Sequence, residues 1–244
     1  MAVNHWVRGS SPCWGASNFQ ARVKPGLFSK VSNPFFFKPP ELKDENMLSQ
    51  MTFDLEEKKL VLKRLLTEKS FNYSEEARFP LVSGRKSRFY IDCKMTTLHS
   101  QGAFLIGQIL FGLIKPLNIK GIGGLTLGAD PIAVATSVIA GQNGVDLVSF
   151  VIRKETKKHG LMKYVEGDVS PGDKVVIIDD VITTGGSTLQ AIEKAEKAGL
   201  EVVKVIVFVD REEGGRENII NEGYEVESIF TKSELKDEYE KLNK

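Results

Sequence analysis

Cysteine is nearly absent from this sequence: 244 residues carry two, Cys13 and Cys93. Two cysteines cannot build a disulfide framework, and they share no metal-ligand spacing with the three histidines, His5, His99 and His159. That usage fits a reducing compartment. Net charge is missing too, because 33 basic residues stand against 32 acidic ones, a formal charge of +1. No global field exists to draw in nucleic acid or an acidic membrane surface, so neither is expected as a partner. Long apolar runs are few. Gly102–Ile114, GAFLIGQILFGLI, is too short to span a bilayer. Gly121–Gly141 is long enough, but Asp130-Pro131 and its glycines suit a turn between strand and helix, and no transmembrane segment is expected.

One region lacks a single type of charge. No Asp or Glu precedes Glu41, while Arg8, Arg22, Lys24, Lys30 and Lys38 are spread through the same stretch. Residues 1–50 also hold serines, prolines and a Phe35-Phe36-Phe37 cluster without a helical or strand period, the pattern of a disordered extension. Three origins fit it: an organelle transit peptide, a tail that binds a partner, or translated sequence upstream of a start at Met47 or Met51. The third is favoured, because the globular pattern begins straight after Met51. No apolar core of a secretory signal stands near the start. Residues 51–244 suit one ordinary domain, and 41% hydrophobic content is normal for a globular chain.

What is present centres on Lys174–Thr188, KVVIIDDVITTGGST. Val175–Ile178 has the continuous, β-branched composition of a buried parallel strand. It runs into two adjacent carboxylates, Asp179 and Asp180. A Thr-, Gly- and Ser-rich turn follows, then a helical pattern, LQAIEKAEKAG. Such a turn offers backbone N–H groups and hydroxyls at a helix N-terminus, a ready anion site. Carboxylates repel phosphate, so beside that cradle they must hold something else, such as sugar hydroxyls or a metal. The plain alternative is a strand-to-helix loop with two solvated aspartates.

The remaining chain alternates strands and helices. A helix starts at Thr52 as its cap, with Asp54, Glu56 and Glu57 at its positive end and a Leu55, Leu62, Leu65, Leu66 stripe. Ser83–Ser87 is a turn before a strand over 88–93, and Ser100–Leu117 is an apolar helix stopped at Lys115-Pro116. Further strands are expected at 119–123, 146–152, 202–209 and 224–230. Leu189, Ile192 and Ala195 face inward from the helix that Gly199 ends. Gly124–Pro131 is a second strand-to-helix turn, with Asp130 as cap and Pro131 in the first helical turn. A short helix over 215–223 and a last one over 233–242, capped by Ser233, complete the pattern. These alternations imply a mainly parallel, doubly wound α/β sheet.

The unit Lys174–Thr188 resembles the phosphoribosyl-diphosphate (PRPP) motif of type I phosphoribosyltransferases. Ser83-Gly84-Arg85-Lys86-Ser87 followed by Phe89-Tyr90-Ile91-Asp92 resembles the N-terminal hood of the orotate phosphoribosyltransferases within that group. Arg153-Lys154-Glu155-Thr156-Lys157-Lys158-His159-Gly160, with Glu166-Gly167 after it, resembles their mobile catalytic loop. On charge alone that run is a solvated loop. The resemblance covers about residues 53–244, in order. It departs at Val82, where some members carry a PRPP-binding lysine, and Lys94 is the candidate to stand near the site instead.

The resemblance implies a type I phosphoribosyltransferase fold with a small hood, and transfer of a phosphoribosyl group from PRPP to orotate. It implies that Asp179 and Asp180 hold the ribose hydroxyls. Val181, Ile182, Thr183, Thr184, Gly185, Gly186 and Ser187 form the rest of the PRPP segment, with the 5′-phosphate on Thr183–Ser187. Arg153, Lys154, Lys157 and His159 would meet the pyrophosphate, received by the Gly124–Pro131 turn. Thr183 and Arg211 would meet orotate, and Tyr90-Ile91 aligns with hood positions that contact it in some relatives. Catalytic weight falls on Lys157, Arg153, His159, Asp179 and Asp180. Mg²⁺ is expected on PRPP with no dedicated protein cage, together with a cytoplasmic homodimer whose loop reaches the neighbouring site. Two rivals remain: a type I enzyme for another base, such as a purine, and a non-catalytic PRPP sensor on the same fold.

Overall fold

The structure, a computed structural model, describes residues 45–80, 86–155 and 164–244. These fall in one compact unit, Phe37–Lys244, and Met1–Phe36 lies outside the described residues. Helix α1 spans Glu45–Ser70. It begins upstream of Thr52 because residues 45–51, ENMLSQM, are tolerant of helix and contain neither Pro nor Gly. Leu62 and Leu66 are fully buried on its inner face.

The chain then folds a small hood. Strands β1 (Phe71–Tyr73) and β4 (Phe89–Ile91) pair antiparallel, as do β2 (Phe79–Pro80) and β3 (Lys86–Ser87). Helix α2 (Lys94–Thr97) and helix α3 (Ser100–Ile114) follow, and a 3₁₀ turn, Lys115–Leu117, takes up Pro116. The body continues as β5 (Gly121–Leu125), α4 (Asp130–Gln142), β6 (Val148–Ile152), β7 (Val165–Glu166) and β8 (Lys174–Ile182). It ends with α5 (Gly186–Lys197), β9 (Glu201–Asp210), α6 (Gly215–Asn221), β10 (Val226–Thr231) and α7 (Lys232–Leu242).

One six-stranded sheet has the order β10-β9-β8-β5-β6-β7. All its pairings are parallel except that of β7 with β6. The doubly wound expectation holds. Strand β8 is central, and Val175–Ile178 are fully buried. Successive strand residues point to opposite faces. Val175 and Ile177 therefore join the core under α5 and α6, while Val176 and Ile178 join the larger core of α1, α3, α4 and α7. The strand winds one way from β5 to β6 and the other way from β8 to β9. The switch point thus lies between β5 and β8, the place where open α/β sheets bind ligands.

Ser100–Leu117 is long and apolar enough to cross a membrane by length and composition. In the fold it is a core element, with Leu105, Ile106, Ile109, Leu110 and Ile114 buried against the sheet's helical layer. The hood stands on α7, where Tyr239 packs 5.8 Å from Phe71 and 5.9 Å from Tyr73, ring centre to ring centre.

Thr52 lies inside α1 and does not cap it, and two further caps differ from the expected ones. Ala129 occupies the cap position of α4, and Asp130 is its first residue, its Oδ2 accepting from Thr126 Oγ1 at 2.6 Å. Thr231, not Ser233, caps α7. Glu234 lies three residues on, so its carboxylate accepts from Thr231 N at 2.7 Å while Thr231 Oγ1 accepts from Glu234 N at 3.2 Å. Ser233 is occupied elsewhere, donating to Glu212 Oε2 at 2.6 Å. Thr231→Ala should therefore cost about 1 kcal/mol in denaturant unfolding. A larger loss for Ser233→Ala than for Thr231→Ala would contradict the assignment.

Candidate active site

Strand β8 extends through both acids to Ile182, pairing Asp179 with Val207 and Ile182 with Asp210. The acids are therefore strand residues, and the alternation that splits Ile177 from Ile178 also splits them. Asp179 points to the α5 face. Its Oδ2 accepts from Thr188 Oγ1 at 2.6 Å and Ser187 Oγ at 3.0 Å, and its Oδ1 accepts from Asp180 N at 3.0 Å. Asp180 points the other way, beside Gly128, where any Cβ would overlap its carboxylate. Its backbone carbonyl lies 3.7 Å from the buried Cys93 Sγ, which ties the end of the hood to the end of β8.

Between acid and helix, Gly185 turns the chain with φ +81°, a conformation that side chains resist. Its carbonyl accepts the first helical bond, from Leu189 N at 2.9 Å. No side chain caps α5. The first N–H groups of α5 therefore lack a side-chain cap, the condition in which a helix N-terminus can take an anion.

A cavity of about 350 Å³ opens at the switch point, lined by Asp179, Asp180, Val181, Ser187, Leu125–Gly128, Lys154 and Lys94. Lys94 is thus brought to the site, its Nζ 2.8 Å from Asp92 Oδ1. That hydrogen bond raises its pKa, and the charge of Asp180 adds to the effect. A wider groove of about 740 Å³ adjoins through Thr126 and Lys154 and includes Arg153, Glu155 and Glu166. Arg153 Nη1 lies 3.4 Å from Glu166 Oε1. Among the described residues, no three His, Cys, Asp or Glu side chains gather as a metal cluster.

Arg211 follows β9, its N–H donating to Ile182 O at 3.1 Å. Its side chain is 13% exposed, and Nη2 approaches Glu213 Oε1 at 3.0 Å without hydrogen-bond alignment. Nε has no partner among the described residues. Thr183 meets the Arg211 neighbourhood through the start of α6, since Gly215 abuts the Thr183 carbonyl. Neither Thr183 nor Arg211 lines the two cavities. Tyr90 is exposed and stacks on Phe79 at 5.9 Å. Lys157, His159, Val82 and Ser83–Arg85 lie outside the described residues.

Two residues of the site carry no expected role. Thr188 makes the shortest bond to Asp179. Lys194 donates to the carbonyls of Arg153 and Lys154 at 2.9 and 2.8 Å. Its signal in the sequence was a lysine placed among the inward positions Ala191, Ile192 and Ala195.

Burial pushes the Asp179 carboxyl up to about 6, against the Thr188 hydroxyl bond that pulls it down; the charge of Asp180 adds to the rise. Burial likewise raises Asp180, with Lys94 opposing.

Comparison with known proteins adds four findings. The family profile described as "Phosphoribosyl transferase domain" matches residues 138–231. The orotate phosphoribosyltransferase of Aquifex aeolicus is 45% identical over 181 residues, covering 74% of this chain and 98% of that protein. The crystal structure of Mycobacterium tuberculosis orotate phosphoribosyltransferase with Fe(III) dicitrate superposes with a TM-score of 0.64 at 34% identity. It covers 73% of this chain and 98% of that one. The same enzyme in complex with PRPP gives a TM-score of 0.61 at 33% identity, over 73% and 98% of the two chains.

Because the folded value of Asp179 lies above the ordinary 3.8, its protonation stabilises the fold. That contribution is complete below 3.8 and is lost as pH rises through about 6. Thr188→Val removes the bond that holds the carboxyl down, so its midpoint, followed by carboxyl ¹³C shifts, should move above that of the unsubstituted protein. An unchanged or lower midpoint would contradict the hydrogen-bond account.

Proposed function

The chain belongs to the orotate phosphoribosyltransferases, the enzymes that transfer the 5-phosphoribosyl group of PRPP to orotate in pyrimidine biosynthesis, and we propose that it does so in the cavity between β5 and β8. The products are orotidine 5′-phosphate and pyrophosphate. The observation that carries the placement is two carboxylates beside an uncapped helix N-terminus at the sheet's switch point. A phosphate and a polyhydroxylated sugar need those two chemistries side by side.

In this reading Thr183, Thr184, Gly185, Gly186 and Ser187 receive the 5′-phosphate. Ser187 contributes its backbone N–H, because its hydroxyl is already given to Asp179. Val181 and Ile182 complete the segment. Asp180 accepts from one ribose hydroxyl, and Asp179 accepts from the other with the lone pair its three bonds leave. The pyrophosphate lies over Thr126–Gly128, facing Lys94, Arg153, Lys154, Lys157 and His159. Breaking the C1–O bond sends its electron pair onto pyrophosphate, where fixed cations lower the barrier, while a ring nitrogen of orotate forms the new bond to C1 and gives up its proton to the departing pyrophosphate or to water. Arg211 binds the orotate carboxylate, which replaces Glu213 on the guanidinium fork, and Thr183 stands beside it.

Mg²⁺ fits as an ion carried in by PRPP. Asp179 and Asp180 are the carboxylates that line the cavity, and magnesium keeps much of its water. When bound it neutralises charge on the diphosphate. A homodimer is supported by Met95, Leu98, Phe104, Val134 and Val138, large apolar side chains exposed on α2, on the residue that caps it and on the packed pair α3 and α4. Residues 1–50 are taken as an extension, with α1 starting within its last residues, of a 51–244 catalytic domain that acts in the cytoplasm; mass spectrometry of the native N-terminus tests that boundary.

PRPP-dependent consumption of orotate, run beside a panel of purine and pyrimidine bases, should show turnover with orotate. Binding of PRPP with no base consumed would mean a sensor instead. Lys157→Ala should cut turnover by about 10²-fold or more, and near-normal turnover would remove its role at the leaving group. Mixing inactive Lys157 and Asp180 variants should restore activity through hybrid dimers; no recovery despite proven subunit exchange would exclude a shared loop. Arg211→Ala should raise the KM for orotate more than that for PRPP, and an unchanged orotate dependence would refute its assignment.

A further inference from the structure

Lys194 carries a charge where its helix presents an apolar stripe. It is 8% exposed, in line with Ala191, Ile192 and Ala195. Among the described residues it pairs with no carboxylate. Its Nζ donates to Arg153 O at 2.9 Å and Lys154 O at 2.8 Å, and lies 4.7 Å from the centre of the Tyr164 ring. An ammonium has three donors, so two carbonyls and one ring face use the head fully. Arg153 N also donates to Tyr164 O at 2.8 Å. The three residues that Lys194 touches are therefore the two paired ends of the connection between β6 and β7.

Burying an ammonium without a counter-ion is costly, and an aliphatic side chain would fill the stripe at less expense to the fold. Packing alone does not account for the residue. The backbone it grips does: the side chains of Arg153 and Lys154 line the groove, and Lys154 also lines the cavity beside Asp179 and Asp180. Lys194 and Ser187 stand on the same helix, roughly 10 Å apart along its axis. One rigid rod thus carries the phosphate turn at its start and the grip on the cation pair farther along.

We propose that Lys194 is a positioning residue, which fixes the backbone at Arg153 and Lys154 so that their cations face the diphosphate end of PRPP. The inference rests on the reading that this connection supplies cations to the leaving group.

The test is steady-state kinetics with thermal melting on Lys194→Met and Lys194→Arg, alongside Lys154→Ala and Lys157→Ala. Lys194→Met should lower kcat/KM for PRPP by about tenfold or more, with the KM for orotate held within about twofold. Its melting temperature should stay close to the parent's. Lys194→Arg, which can bond both carbonyls again, should recover most of the loss. The proposal is overturned if Lys194→Met keeps its PRPP efficiency while Lys154→Ala loses it, or if Lys194→Arg recovers nothing. If Lys154→Ala and Lys157→Ala both behave as the parent, the premise about the cations fails instead, and the proposal with it. Should Lys194→Met not fold, Tyr164→Leu, which removes the ring contact, must show a smaller loss of the same kind or the proposal falls.

Discussion

A carboxylate held under a helix organises this molecule. Asp179 sits at the buried end of the central strand and takes three hydrogen bonds, two of them from hydroxyls in the first turn of α5. Those bonds set where α5 begins relative to β8, and hence where the first N–H groups of the helix point. The constraint is expensive, since burial pushes that carboxyl up to about 6. The hydrogen bonds from Thr188 and Ser187 oppose that rise. From this lock follow the shape of the turn at Gly185, the cavity at the switch point and the division of labour between neighbouring acids.

That division comes from strand geometry. Adjacent residues on a strand face opposite ways, so two aspartates side by side in sequence serve different surfaces. Asp179 is spent largely on architecture. Asp180, across the sheet with Lys94 and Gly128, is the freer acceptor. The cations Arg153 and Lys154 follow the end of β6, and Lys94 reaches the cavity from α2. A sugar phosphate lying between them and the phosphate turn would have its hydroxyls over the carboxylates and its diphosphate directed at the cations. Lys194 belongs to the same design, because it holds the cation-bearing backbone from the helix that Asp179 fixes.

Much of this was legible in the chain. The β-branched run Val175–Ile178, the Gly- and Thr-rich turn and the amphipathic helix each have a local pattern, and together they mark the β8–turn–α5 unit. Arg211 was legible as a fork at a strand end. What escaped was non-local or depended on competition between neighbours. Thr231 displaced Ser233 as a cap because Glu234 is spaced to reciprocate and Glu212, distant in sequence, claims the Ser233 hydroxyl. The extension of β8 through the acids came from pairing with β9, which no β-propensity of aspartate predicts. Lys194 meets partners some forty residues away, and only its odd place in an apolar stripe hinted at them.

The direction in which PRPP lies across the cavity is measured directly by a crystal structure with PRPP and Mg²⁺. The account predicts the 5′-phosphate on the backbone N–H groups of Thr184–Ser187, the ribose hydroxyls on Asp179 and Asp180, and the diphosphate over Thr126–Gly128 facing Lys154. A diphosphate seated on the α5 turn, or ribose hydroxyls away from both aspartates, would contradict it.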